Sequence, residues 1–513
     1  MVTTEAAAGK AGSSGVSTQT AVTPGGFRRE ELVRLMLQSL QELGYSGTAQ
    51  LLETESGFCA EDAVAAQFRQ CVMSGDWDHA EQLLPAVDYD MAHARAGRFQ
   101  IRRQKYLEYL EQRHVKQALT VLRQELTPLN YNHDQLHLLS SLLMSAPADL
   151  YRRADWDGAR GTSRATLLRS LQQHITPTRM IPTGRLEILL QQAVRDQARS
   201  CLYHNALDQD ISLFVDHLCD RRNLPGTTTR VLKDHTDEVW SVTFSHDGRY
   251  LASASQDRTS IVWDVETGRQ KLTLSGHFNG ITHVAWSHDD KRLLTCSSDK
   301  QARVWNAQTG VCEIVLDAHK ESVTSGAWLP DGSFVTGSLD KSIYLWSSEG
   351  VKKHRWPDAR INDLDVSRDG TRMVAVCQEK RIRVYDIPSR AQINEIKLSQ
   401  NISSVVLSAD ARYALVNLSS ESIHIWDLDN SKLVRRYNGH AQERFVIRSC
   451  FGGIDEGLVA SGSEDNSVYL WHRDSEKLIA ELSGHEMAVN DISWHPHDPC
   501  VFASASDDHT IRL

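Results

Sequence analysis

The feature that most constrains this chain is an aromatic residue that recurs through its second half. Trp263, Trp305, Trp346, Tyr385, Trp426 and Trp471 are separated by 42, 41, 39, 41 and 45 residues. Histidines open the units: His235, His277, His319, His440 and His485, three of them after a glycine (Gly276, Gly439, Gly484). Asp234 and Ala318 stand in the glycine's place in the other two. Between histidine and aromatic come an apolar run, an Asp-Gly or Asp-Asp turn, a strand of small residues and an acid, as in GHFNGITHVAWSHDDKRLLTCSSDKQARVW at 276–305. A fixed period of this length marks supersecondary units that stack to bury one another's faces.

Each unit reads as one four-stranded antiparallel blade of a propeller. The pattern resembles that of WD-repeat proteins, where the opening His, a strand Ser or Thr, the turn Asp and the Trp form a buried hydrogen-bond chain. The resemblance implies the sets His235, Asp257, Trp263; His277, Asp299, Trp305; His319, Asp340, Trp346; His440, Asp465, Trp471; and His485 with Asp508. The hydroxyls are expected within 253–255, 297–298, 336–338, 461–463 and 504–506. A buried carboxylate is costly unless bonded, and the His ring supplies that bond. These residues are therefore read as structural, and no catalytic residue is expected.

His485 opens a seventh unit, SASDDHTIRL at 504–513 ends it, and its aromatic would fall just past Leu513. The chain thus reads as stopping, or cut, at the penultimate strand of blade seven. The missing outer strand is expected from 227–232, TTTRVL, which would close the ring and remove exposed edges. Two units are degenerate. The Tyr385 unit lacks an opening His and has Glu379 at the turn. The Trp426 unit has Ser420 there, and its His424 lies in the strand that carries the aromatic. Drift where packing suffices explains both; a docking face is the competing reading. On the loop face, Glu238, Trp240 and Gln256 of blade one, Thr282 of blade two, Glu464 of blade six and Asp507 of blade seven are candidate contacts. Trp240 is the apolar anchor or a packing residue.

The first half is helical by its 3.6-residue apolar period. Leu32, Leu35, Met36, Leu40 and Leu43 form one stripe, Gly44 ends that helix, and Thr48, Ala49 and Leu52 continue to Gly57. The string ELVRLMLQSLQELGYSGTAQLLETESG resembles the LisH motif. That resemblance implies a homodimer through a face that includes Leu32, Leu35, Met36, Leu40, Leu43 and Tyr45. Residues 65–84, with Phe68, Val72, Trp77, Ala80 and Leu84, and a long helix over 98–125 resemble a CTLH domain. Further stripes (Leu138, Leu139, Leu142; Leu167, Leu168, Leu171; Leu186, Leu189, Leu190, Val194; Ile211, Phe214, Leu218) resemble a CRA region. The expected architecture is α+β multidomain: a tail at 1–26, LisH at 27–58, CTLH at 62–128, CRA at 129–222, then an all-β seven-bladed WD-repeat propeller at 227–513.

Composition bounds the function. A net charge of −10 at pH 7 speaks against a nucleic-acid partner. No run of 18 apolar residues is present to span a membrane, and residues 1–26 show no targeting pattern. No two of the nine cysteines are spaced as Cys-x-x-Cys, so neither zinc framework nor disulfide scaffold is expected, and a reducing compartment, cytosol or nucleus, is. Neither a phosphate loop nor a zincin helix occurs; His485-Glu486 is followed by Val489 where His is needed. No cofactor and no metal are expected.

The strings NHDQLHLLSSLLM at 132–144, QAVRDQARSCLYHN at 192–205, IRSCFGGIDEGLVASGSEDNSVYLWH at 447–472 and ASASDDHTIRL at 503–513 resemble the Gid seven family. The resemblance implies a non-catalytic scaffold subunit of a GID, or CTLH, E3 ubiquitin ligase. It implies dimerisation through the helical module, RING-bearing partner subunits that hold the catalysis, and a propeller that recruits substrates or adaptors. A LisH–CTLH–WD-repeat corepressor or splicing scaffold is the alternative.

Overall fold

The computed structural model describes residues 26–90, 93–143, 147–206, 212–357 and 359–513. The expected tail lies outside them except for Gly26. The chain divides into two compact units, Met1–Ala193 and Val194–Leu513.

The first unit is helical. α1 (Arg29–Glu42) and α2 (Ser46–Ser56) form a hairpin that turns at Gly44. Gly44 has φ +88°, a left-handed conformation that costs glycine nothing. The apolar stripe divides between two faces: Leu37 and Ala49 are buried, with Val33, Leu40 and Leu52 packed on them. α3 (Ala63–Ser74), α4 (Trp77–Leu83), α5 (Ala94–Glu111) and α9 (Ser163–Gln172) enclose a core of Phe68, Val72, Trp77, Ala80, Leu84, Ile101, Leu168 and Leu171. α6 (Val115–Thr120), α7 (His133–Leu142) and α8 (Pro147–Ala154) close a second core around Tyr106, Leu122, Leu139 and Trp156. The single helix expected over 98–125 breaks at Arg113, whose φ of +61° no helix accommodates. Glu108 ties three helices together from a buried position: it accepts from Trp77 Nε1 at 3.1 Å and from Arg164 Nε at 2.9 Å. A buried carboxylate needs such partners.

α10 (Arg185–Ser200) carries the Leu186, Leu189, Leu190 stripe and buries none of its residues. The last expected CRA helix is absent among the described residues. Phe214 and Leu218 lie in irregular, exposed chain, and Ile211 is outside the described residues. Residues 194–222, read from sequence as CRA, belong to the second compact unit.

The second unit holds seven four-stranded antiparallel sheets. Blade one is Val239–Phe244, Tyr250–Ser255, Thr259–Asp264 and Arg269–Ser275, from channel to rim. The six repeated aromatics stand in the third strand of blades one to six, where a fourth strand follows and forms the outer edge. The small-residue strands pack where neighbouring blades crowd: a Cβ on Gly337 would meet Leu364 and Ile361 side chains at 2.6 and 2.9 Å. Apolar side chains fill the space between sheets, as where Ala252, Val262 and Leu274 of blade one meet Ile281, Val284 and Trp286 of blade two.

The ring closes as the sequence implied. Val231 and Leu232 pair with Arg512 and Ile511 as the outer strand of blade seven. Thr229 N–H and Leu513 N–H extend the ladder to Leu513 and Arg230 carbonyls at 2.7 and 3.0 Å. Leu232 is buried against Ile511 and Trp263, so the closure is packed as well as hydrogen-bonded.

Candidate interaction face of the propeller

The hydrogen-bond chain forms in blades one, two, three and seven. In blade two, His277 Nδ1 lies 2.8 Å from Asp299 Oδ2, and Nε2 lies 2.8 Å from Thr295 Oγ1. Trp305 Nε1–H donates to the same hydroxyl at 2.8 Å. A carboxylate only accepts, so in the neutral ring Nδ1 carries the proton and Nε2 accepts. The hydroxyl is Thr295, two residues before the serines expected from sequence. His235–Asp257 with Ser253 and Trp263, and His319–Asp340 with Thr336 and Trp346, repeat this geometry. His485–Asp508 with Ser504 repeats it without an aromatic. Burial alone would push these carboxyls up. The His bond and backbone N–H groups outweigh it, holding Asp299 down at about 2 and Asp257, Asp340 and Asp508 well below the carboxylate range.

Blade six departs from expectation. Asp465 accepts from the Tyr469 hydroxyl at 2.7 Å, and Trp471 donates to the Asn438 carbonyl at 3.2 Å. His440 stands edge-on to Trp471 with ring centroids 5.9 Å apart, and its ring makes no bond to Asp465 or to a strand hydroxyl. The backbone differs here: the second strand ends at Ser461, and a Cβ on Gly462 would meet the Val489 carbonyl. The degenerate blades lose the chain too: Glu379 pairs at the surface with Arg381 and Arg383, and both ring nitrogens of His424 are buried without a hydrogen bond.

One repeated bond defines a common face. In every blade the turn between second and third strands donates a backbone N–H to the loop entering the first strand. The pairs are Gln256–Glu238, Ser298–Gly280, Leu339–Ser322, Gln378–Arg360, Ser419–Asn401, Glu464–Ala441 and Asp507–Ala488, at 2.9 to 3.1 Å. In six blades the accepting residue immediately precedes the first strand. In blade six it is Ala441, while the strand starts at Ser449, so residues 442–448 form a loop lengthened by an insertion on this face. The 45-residue gap before Trp471 is its trace in the sequence.

The insertion is fastened at three points. Glu464 Oε1 accepts the N–H groups of Glu443, Arg444 and Phe445 at 2.8, 2.7 and 2.9 Å. Gln442 donates to Ser403 Oγ at 2.9 Å, and the buried Ile447 offers its carbonyl to Ser404 and Asn417. Arg448 runs into the central channel. Its Nη1 donates to Trp240 and Thr282 carbonyls at 3.4 Å, and Nε lies 3.8 Å from Asp363 Oδ2. Burial raises the Asp363 carboxyl and lifts that of Asp491 to about 6, while Arg448 opposes both shifts. One guanidinium therefore serves a channel that gathers acids from blades four and seven.

All six predicted contacts lie on this face, but mostly beneath its surface. Glu464 is committed to the insertion. Thr282 donates to the Val323 carbonyl at 2.6 Å, and the buried Asp507 accepts from Asn490 at 2.6 Å. Trp240, half-buried, donates to Glu238 at 2.9 Å and packs with Gln256 over Gly280. The exposed apolar groups are others: Phe278 (76% exposed), Phe445 (50%), Val446 and Met487, all on loops that enter first strands. Phe445 and Val446 belong to the insertion.

In the helical unit, the predicted dimer residues separate. Leu40 packs inward and Leu32 and Leu35 are half-buried, while Met36, Leu43 (69% exposed) and Tyr45 (61%) face out beside Phe27 and Leu51. No helix among the described residues is long and apolar enough to cross a membrane. One group among them has metal-binding chemistry: Cys201, His217 and Cys219, a mixed set that a search for Cys-Cys pairs passes over.

Comparison with known proteins places these features. The WDR26 Lis-homology domain matches residues 19–62, and the TPR1-like, CTLH-containing domain matches 65–183. The first beta-propeller of IFT122 matches 222–451, and the WD domain, G-beta repeat, matches 431–472 and 476–513. A WD repeat-containing protein 26 homolog of Arabidopsis thaliana is 38% identical over 96% of this chain and 86% of its own length. GID complex subunit 7 of Schizosaccharomyces pombe is 38% identical over 94% and 96%. A Drosophila melanogaster WD repeat-containing protein 26 homolog is 37% identical over 94% and 80%. With the matches running over 94–96% of the sequence, through helical unit and propeller alike, the chain belongs to the family of WD repeat-containing protein 26 and GID complex subunit 7.

Proposed function

We propose that this protein is a non-catalytic scaffold subunit of a GID/CTLH-type E3 ubiquitin ligase, working in the cytoplasm and nucleus. The observation that carries the reading is the near-full-length similarity to a GID complex subunit 7, whose name makes it a member of an assembly. In this reading the helical unit supplies assembly. Met36, Leu43, Tyr45 and Leu51 are too many exposed apolar side chains for one short hairpin, and a second copy would bury them. RING-bearing subunits supply the chemistry, consistent with tetrad His–Asp pairs that are buried in the blades. The propeller supplies recruitment: Phe278, Phe445, Val446 and Met487 stand on one rigid face, and aromatic anchors of this kind dominate interface energies. Linking two such faces in one assembly raises the effective concentration of a shared substrate or adaptor without new contacts. Neither nucleic acid nor membrane has a part in it.

Affinity purification of the tagged full chain from its own cells tests this. Recovery of RING-bearing subunits and ubiquitin transfer activity supports the proposal. Phe278→Ala with Phe445→Ala should keep those subunits and lose the recruited substrates. Recovery of transcriptional or splicing factors without any RING subunit would overturn it.

A further inference from the structure

Two short stretches of irregular chain converge just before the propeller. The first begins where α10 ends. Cys201 is buried, and its N–H bonds back to the Gln197 carbonyl at 3.1 Å. The chain turns through Leu202 and Tyr203, and His204 N–H returns to the Cys201 carbonyl at 3.4 Å. The second stretch is His217-Leu218-Cys219. The Cys201 and Cys219 sulfurs and a His217 ring nitrogen lie within 4.8 Å of one another. His204 joins them: its Nδ1 lies 2.9 Å from His217 Nε2 and 3.6 Å from Cys219 Sγ, and Cys219 Sγ lies 3.0 Å from that same His217 nitrogen.

We propose that Cys201, His204, His217 and Cys219 form a structural zinc site. Zinc takes sulfur at about 2.3 Å and imidazole nitrogen at about 2.0–2.1 Å in a tetrahedron, whose edges are then about 3.3–3.8 Å. The observed separations bracket those edges, with the nitrogens drawn slightly inside them. Two thiols and two imidazoles with no carboxylate among them suit zinc and disfavour magnesium or calcium. Four protein ligands leave no open position, which is the mark of a structural site and not a hydrolytic one. A thiol–imidazole pair would account for Cys219 and His217 alone. It would not explain why a Cys-x-x-His turn and a His-x-Cys stretch close on the same point.

The surroundings are built to match. Asn205, next to a ligand, is fully buried; its Nδ2 donates to the carbonyls of Asn223 at 3.0 Å and Pro499 at 2.7 Å, and its Oδ1 accepts from Ile454 N–H at 3.3 Å. Arg221, two residues past Cys219, bonds the Ile479 carbonyl and lies over the Tyr203 ring at 5.8 Å. Both stretches are thus moored to blades six and seven, beside the ring closure, in chain without helix or strand. Phe214 and Leu218 are almost wholly exposed, so their apolar side chains do not fasten the second stretch. Metal ligation supplies that order where a core is absent. The clasp fixes the chain that leads from α10 into the propeller.

The test uses the full chain, purified reduced and without a histidine tag. Elemental analysis should give about one zinc per chain. Cys219→Ser and His204→Ala should each lose it, while Cys500→Ser, outside the cluster, should keep it. Cobalt loaded into stripped wild-type protein should give the intense visible bands of a tetrahedral thiolate site. That reading needs no variant, so it stands if a variant fails to fold. Absence of both zinc and the cobalt spectrum would overturn the proposal. So would zinc retained by Cys219→Ser, or a Cys201–Cys219 disulfide in protein taken from a reducing compartment.

Discussion

Glu464 accepts the backbone N–H of Phe445 at 2.9 Å, and the same carboxylate oxygen holds the N–H groups of Glu443 and Arg444. One side chain thereby shapes the insertion that presents Phe445 and Val446. Glu464→Ala leaves three amides to water and should cost about 1–2 kcal/mol. Hydrogen exchange should show faster exchange at 443–445 with the blade strands unchanged. Unaltered exchange there would mean the loop is held by Gln442 and Ile447 alone.

The intact tetrads and the broken one should differ in energy. Asp299→Ala strands a buried His277 nitrogen and two amides, and should cost about 3–5 kcal/mol. Asp465→Ala, at an exposed turn in blade six, should cost under about 1 kcal/mol. Denaturant unfolding reads both, and equal costs would contradict the structure.

The same carboxylate sets an acid limit. Asp299 sits at about 2 in the fold and near about 3.9 unfolded. Its folded value is the lower, so its stabilisation is complete above about pH 4 and is lost as pH falls toward 2. The stability gap between wild type and Asp299→Asn should be flat from neutrality to about pH 5 and should close below about pH 4. A gap that closes between neutrality and about pH 5 would assign the titration to another group.

His424 makes the opposite prediction. Its ring is buried without hydrogen bonds, and burial, aided by Arg436, lowers its pKa to about 4. His424→Leu should stabilise blade five by about 1–3 kcal/mol at neutral pH, because it removes unsatisfied polar atoms. The advantage should grow as pH falls from about 6.5 toward 4, where the wild type must charge or expose the ring. Thermal melts across that range check it; a destabilised variant at every pH would mean the ring has a partner.

Arg448 should prove a shared counter-charge. Arg448→Met leaves Asp363 and Asp491 in the channel without a cation and should cost about 3–5 kcal/mol. Adding Asp363→Asn should restore part of that loss, a coupling that a double-mutant cycle measures. Strict additivity would deny the interaction.

Much of this was legible in the sequence, and the misses have physical causes. The aromatic period and the Val231–Leu232 closure were readable because blade geometry repeats strand length and turn chemistry. The sequence predicts a tetrad in blade six because His440, Asp465 and Trp471 are all present, whereas the fold gives Asp465 to Tyr469 and Trp471 to the Asn438 carbonyl. The insertion itself was visible as a long gap, yet nothing in that gap singles out Arg448 or Phe445, whose roles depend on blades far away in sequence. Candidate contacts such as Glu464 and Thr282 lie on the loop face that the sequence predicts for them, but periodicity does not tell an outward side chain from one that ties two loops together. Along α1 and its end the leucine row alone does not separate Leu40, which packs into its own hairpin, from Leu43, which faces out.

In the proposed function the helical unit assembles the protein through the outward face of its first hairpin. Leu43 and Tyr45 are 69% and 61% exposed, so glutamates there should leave the fold intact. The measurement is solution mass by light scattering of the full chain and of Leu43→Glu with Tyr45→Glu, at equal micromolar concentration. A dimer or larger species for the wild type and a folded monomer for the double variant is the expected result. A monomeric wild type, or a variant of unchanged mass, would contradict the claim.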